Sequence, residues 1–92
     1  MLFVRRIEGE SMRPTYRPGN IVFGLRWLLK PRAGKVVVAD LHGREIIKRV
    51  SDVNAEGLLL LGDNPAHSTD SRTHGRFRPG AIKGVIIGSI NR

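Results

Sequence analysis

Cysteine is missing from this 92-residue chain, so no disulfide can staple the fold and no thiolate can act as nucleophile or metal ligand. Aromatic residues are scarce, with one Trp, one Tyr and three Phe. The basic residues are not interleaved with them as they would be on a surface that stacks nucleic-acid bases. Long hydrophobic runs are lacking too. Runs such as residues 58–61 and 85–87 fall far short of the roughly 20 residues that cross a bilayer. Arg5 and Arg6 break residues 1–7, where a signal peptide would need its apolar stretch. The expectation is a chain without a transmembrane anchor. Acidic residues are the last shortage: 8 Asp and Glu stand against 16 Lys and Arg, a formal charge of +8, and residues 1–50 hold eleven of the bases and four of the acids. Such a field draws nucleic acid, an anionic membrane surface or an acidic peptide without choosing among them. Because the bases are spread rather than clustered, a solubilising surface explains them at least as well as a nucleic-acid site.

What remains is the profile of a single domain over residues 1–92, 40% hydrophobic and 26% charged. About two thirds of the unfolded surface can be buried at this size, so burial and backbone pairing must hold the chain together. Short β-branched runs closed by Gly, Pro or Asn recur along it, the pattern of strands and turns. They predict strands over residues 3–8, 20–25, 34–41, 45–50, 58–61 and 84–91. His42-Gly43-Arg44 joins two runs of high β propensity and predicts a hairpin. The one helical turn expected starts at Ser11, a capping residue, with Pro14 early enough to be tolerated and Pro18-Gly19 ending it. Eleven glycines and five prolines complete the signature of an all-β fold, a mainly antiparallel, coiled sheet with at most short helical turns.

Three segments carry polar residues that structure alone explains poorly. In Gly9-Glu10-Ser11-Met12-Arg13-Pro14-Thr15 a serine sits between a glycine-led turn and a proline-stiffened one, which fixes a hydroxyl in space. A nucleophilic serine needs backbone N–H groups aimed at the reacting carbonyl, and a turn after a strand supplies them. A serine capping a short helix has the same local sequence. In Ile46-Ile47-Lys48-Arg49-Val50, alternation puts Lys48 on one face with Ile46 and Val50, and Ile47 and Arg49 on the other. That lysine either snorkels to water from an edge strand or is desolvated, so that its pKa falls and it can accept a proton. Lowering a lysine pKa from about 10.4 to about 7 costs roughly 4 to 5 kcal/mol, a load that a small domain seldom carries without function. The third segment, residues 61–72, is a dense loop of Asp, Asn, Ser and Pro after a run of leucines. Such a loop is usually turn chemistry, yet Asp70 and Arg72 are close enough to pair, and Ser68 could orient a lysine amine.

Taken in this order, the segments resemble the type I signal peptidase family, serine peptidases with a serine and lysine dyad. Residues 9–15 resemble its nucleophile box and Ile47-Lys48-Arg49 its general-base box. Gly62-Asp63-Asn64 with Ser68, Asp70, Ser71 and Arg72 resembles its last box, and Pro31 and Gly34 before Val36-Val37-Val38 fall where the family has a Pro and a Gly. The resemblance implies a half-barrel fold like the signal peptidase and LexA catalytic domains, and a serine endopeptidase that removes an N-terminal leader or propeptide from a precursor protein. It implies Ser11 as nucleophile, Lys48 as general base and Ser68 as the hydroxyl that positions the amine. Asp63, Asn64, Asp70 and Arg72 would support the site, and Ile7, Met12, Tyr16, Ile46 and Ile47 would line the substrate pockets. No cofactor or metal is implied, and His42, His67 and His74 lack the short ligand spacing of a zinc site. The implied partner is a precursor or peptide substrate rather than nucleic acid, and the implied setting is cytoplasmic and soluble, or peripheral to a membrane.

The chain departs from that family in several ways. Only thirteen residues separate Lys48 from Gly62, where many members insert a large β region. Position 9 is Gly where some members place a serine that helps the oxyanion hole. Residue 16 is Tyr where the family commonly has Leu, and its bulk would favour small residues before the cut. Without the family's usual anchor, the chain resembles the small peptidases that remove the N-terminal propeptide of nickel-type superoxide dismutase. One alternative is a peripheral signal peptidase whose basic half is held to anionic lipid. A second is a LexA-like self-cleaving domain, against which stand the ten residues before Ser11 and the Gly-Asp-Asn loop. A third is a basic binding module that kept the fold and lost activity.

Overall fold

The computed structural model describes residues 1–26, 30–67 and 74–91. Its strands are β1 (Leu2–Arg6), β2 (Ile21–Leu25), β3 (Val36–Leu41), β4 (Arg44–Asn54), β5 (Gly57–Leu61) and β6 (Ile82–Ile90), with 3-10 turns at Pro65–His67 and Pro79–Ala81. All six join one open antiparallel sheet in the order β1-β2-β6-β3-β4-β5. The fold is therefore all-β, and each expected strand is present with its ends moved by a few residues. The largest shift is in β4, which runs on from Val50 to Asn54 because its far half pairs with β5. The expected helical turn at Ser11 does not become a helix. Residues 11–15 form consecutive turns in which Arg13 N–H donates to Glu10 O at 3.2 Å and Tyr16 N–H to Met12 O at 2.9 Å. One such turn fixes too many dihedrals per hydrogen bond to propagate, the next donor, Arg17 N–H, goes to Asn20 Oδ1 at 2.9 Å, and Pro18 has none to offer.

The sheet buries apolar side chains on both faces, and β3 explains how. Val36 and Val38 point to one face and join Phe3, Ile7, Met12, Val22 and Ile86, whereas Val37 and Ala39 point to the other and join Val50, Leu58, Leu60, Phe77 and Val85. A central strand covered on both sides reads as a continuous apolar run rather than an alternating one. On the first face Phe3 occupies space that two glycines leave open. A Cβ on Gly24 would come within 2.7 Å of its ring, and one on Gly84 within 2.3 Å. The ring thus substitutes for side chains that β2 and β6 do not carry.

Two features of the sheet position the site. The β3–β4 hairpin closes through His42 and Gly43, both at positive φ (51° and 86°), the geometry of a type I′ turn that matches strand twist. It sets Leu41 opposite Arg44 and Val37 opposite Lys48. In addition, β4 changes partner along its length: β3 pairs with residues 44–49 and β5 with residues 49–54. Among the described residues no strand pairs with the second edge of residues 44–47 or with the outer edge of β1. β5, at the opposite end, is partly covered by the segment at Phe77, which exchanges both backbone hydrogen bonds with Leu58 at 2.8 Å. Among the described residues no helix is long and apolar enough to cross a membrane.

Candidate active site

β1 leads the chain through buried Ile7 to Gly9, whose φ of 76° turns the backbone toward Ser11 in a conformation that costs a glycine nothing. Met12, 2% exposed, anchors the far side of the serine in the core. The loop after β5 then clamps the turn from outside. Asn64 N–H donates to Ser11 O at 2.8 Å, and Asn64 Nδ2 donates to Glu10 O at 3.0 Å. Thr15 Oγ1 donates to the Asp63 carboxylate, and Arg13 pairs with Glu10 within the turn.

Asp63 is the junction of this clamp. Arg49 grips it with two bonds, Nε to Oδ1 at 2.9 Å and Nη2 to Oδ2 at 2.8 Å, while Arg49 Nη1 donates to Gly34 O at 2.8 Å. The hydrogen bonds from Arg49 hold the Asp63 carboxyl below its ordinary value; burial opposes them and the Thr15 hydroxyl reinforces them. One carboxylate thus ties the serine turn to the strand that carries Lys48.

Lys48 lies on the Val50 face of β4, as alternation predicts, and is only 5% exposed. It is desolvated rather than snorkelling. Its Nζ donates to Ser11 Oγ at 2.8 Å, so the two segments meet through their most reactive atoms although 37 residues separate them. Around the pair runs a groove of about 520 Å³, with Ile7, Met12, Ile46 and Ile47 among its lining residues. It is bordered by residues 5–9, leaving β1, and by residues 44–48 of β4. Farther from Ser11, Arg5 donates to Glu45 through Nε at 2.6 Å and Nη2 at 3.1 Å, and Lys83 Nζ donates to it at 3.3 Å. These bonds, Arg5's above all, hold the Glu45 carboxyl down at about 2.

Of the residues expected at the site, Ser11, Lys48, Asp63 and Asn64 are brought together, and four of the five expected pocket residues line the groove. Tyr16 does not line it. The single turn from Met12 to Tyr16 carries the ring to the inner side, where it packs half-buried against the core with Ile47 and beside Arg49 and Asp63. Burial pushes its phenol up, an effect that Arg49 opposes. Ser68, Asp70, Ser71 and Arg72 lie outside the described residues. Arg49 and Thr15 were not foreseen as supports. Arg49 had a signal, since a strand that sends Lys48 to one face sends its neighbour to the other. Thr15 had none, because nothing local announces a partner 48 residues away. Among the described residues no three metal-ligating side chains converge on one point. The family model described as Peptidase S24-like matches residues 1–87. No curated protein matches the chain.

Proposed function

Since the chain belongs to the Peptidase S24-like family, we propose that it is a serine endopeptidase in which Ser11 is the nucleophile and Lys48 the general base. The observation that carries this reading is the 2.8 Å contact between Lys48 Nζ and Ser11 Oγ at a lysine almost removed from water. Burial disfavours the ammonium, and in the neutral amine the same contact lets the Ser11 hydroxyl donate to Nζ. Lys48 then takes that proton as Oγ attacks a peptide carbonyl, and the backbone N–H of Ser11 stabilises the oxyanion. The lysine passes the proton to the leaving amine as the C–N bond breaks, leaving an acyl group on Ser11. Water, deprotonated by Lys48, releases the acyl group and restores the serine.

The substrate is an extended segment that pairs with the open edges beside the groove, where main-chain bonds give affinity and pockets give choice. Only a segment whose own backbone is unpaired can bind in this way, which favours leaders and propeptides over folded domains. Within that class the resemblance to the type I signal peptidase family supports removal of an N-terminal leader, in the manner of the small peptidases acting on nickel-type superoxide dismutase. The match to the S24-like family favours a second reading, a cut within the same chain as in LexA-like domains. Mass spectrometry of leader-bearing precursors incubated with wild type and with Ser11→Ala separates the two. A single N-terminal cut made in trans by wild type alone is the expected result. Identical fragments from both proteins, or none, would overturn the reading, and a cut confined to the chain itself would favour the second.

A further inference from the structure

Charge is unevenly placed along the groove. Near Ser11 stand Glu8 and Glu10, the latter paired with Arg13. At the other end stand Arg5, Arg44 and Glu45, with Lys83 reaching in from β6. Glu45 takes both Arg5 and Lys83, and Asp40 stands opposite Glu45 across the hairpin, so with exposed Arg44 alongside the cluster keeps one positive charge in excess. We propose that the peptide cut in this groove carries an acidic side chain three or four residues from the scissile bond, received by Arg5, Lys83 and Arg44. The inference rests on the peptidase reading above and adds its substrate class.

Strand geometry sets the spacing. Each residue of β4 rises about 3.3 Å, so Glu45 and Arg44 stand about 10 and 13 Å along the strand from Lys48. An extended peptide paired with the edge of residues 44–47 advances at the same rate, so its third and fourth residues from the bond reach the cluster. Successive side chains point to opposite faces, and each face meets a cation: Arg5 and Lys83 on the Glu45 side, Arg44 on the Lys48 side. A substrate carboxylate there alternates with Glu45 among the cations, whereas a lysine adds to an existing excess. The chain's charge of +8 steers the same acidic segments toward the groove.

The test is to digest a proteome-derived peptide pool with the wild-type chain and read residue frequencies around each cut by mass spectrometry. Asp and Glu are expected to be enriched about threefold to tenfold at the third or fourth position on one side of the cut, since each exposed ion pair contributes up to about fivefold. The enrichment should shrink when NaCl rises from about 0.05 to about 0.5 M, which screens exposed pairs. In the Arg44→Glu, Lys83→Glu double variant it should pass to Lys and Arg. Cuts with Asp and Glu at background frequency, or a preference that neither salt nor the double variant moves, would overturn the inference and leave the peptidase reading standing. The absence of any Ser11-dependent cut would overturn both.

Discussion

At Lys48 a single side chain links burial to chemistry. A lysine opposite Val37 and 5% exposed has little water to hold its charge, and in the proposed mechanism its place beside Ser11 gives the neutral form a use. Peptide cleavage should therefore rise toward alkaline pH as Lys48 loses its proton, and a kcat/KM profile flat from about pH 5 to about pH 9 would remove it as the base. Ser11→Ala and Lys48→Met should each lower kcat/KM by about a thousandfold or more while far-UV circular dichroism stays unchanged. Asp63 acts at one remove. Its carboxyl is held below the ordinary 3.8 by Arg49, so the stability it contributes is in place above that value and is lost as pH falls toward its lower folded value. Asp63→Asn should cost about 1–3 kcal/mol at neutral pH and flatten the loss of stability below about pH 4, measured by urea unfolding across pH. It should also lower kcat more than it raises KM, because it loosens the turn that presents Ser11.

The strands show how sequence specified the fold and where it fell silent. Alternation in Ile46-Ile47-Lys48-Arg49-Val50 was enough to put the lysine on an apolar face, and His42-Gly43 was enough to place the hairpin. Nothing local, however, said whether that face would be covered; its burial comes from strands and loops distant in sequence. The change of partner halfway along β4 was likewise hidden, because an open edge is a property of the assembled sheet. Tyr16 was assigned to the groove by position alone, while the turn before it decides its direction. Two substitutions probe the strands directly. His42→Asn keeps the type I′ turn with a residue that tolerates positive φ, and should stabilise by about 0.5 kcal/mol, a rise in Tm of about 2–4 °C by scanning calorimetry. Gly24→Ala should destabilise by about 3 kcal/mol or more in urea, because the added Cβ would meet Val85 O at 2.3 Å as well as the Phe3 ring.

For the molecule as a whole, two cores on opposite faces of one sheet let a short chain bury Val36 to Ala39 of β3 while parts of its margins have no strand partner among the described residues. Those margins form the proposed peptide site, and they are also templates that a second copy of the chain could extend. A strand from one molecule lying in the groove of the next makes a head-to-tail contact, which builds a ring where the rotation closes and a filament where it does not. Arg5, Arg6 and Arg44 along the groove, together with the +8 charge of every copy, oppose that contact by repulsion. Where salt or a polyanion cancels the repulsion, light scattering should grow with protein concentration as activity per molecule falls, and the protein becomes a competitor for its own groove.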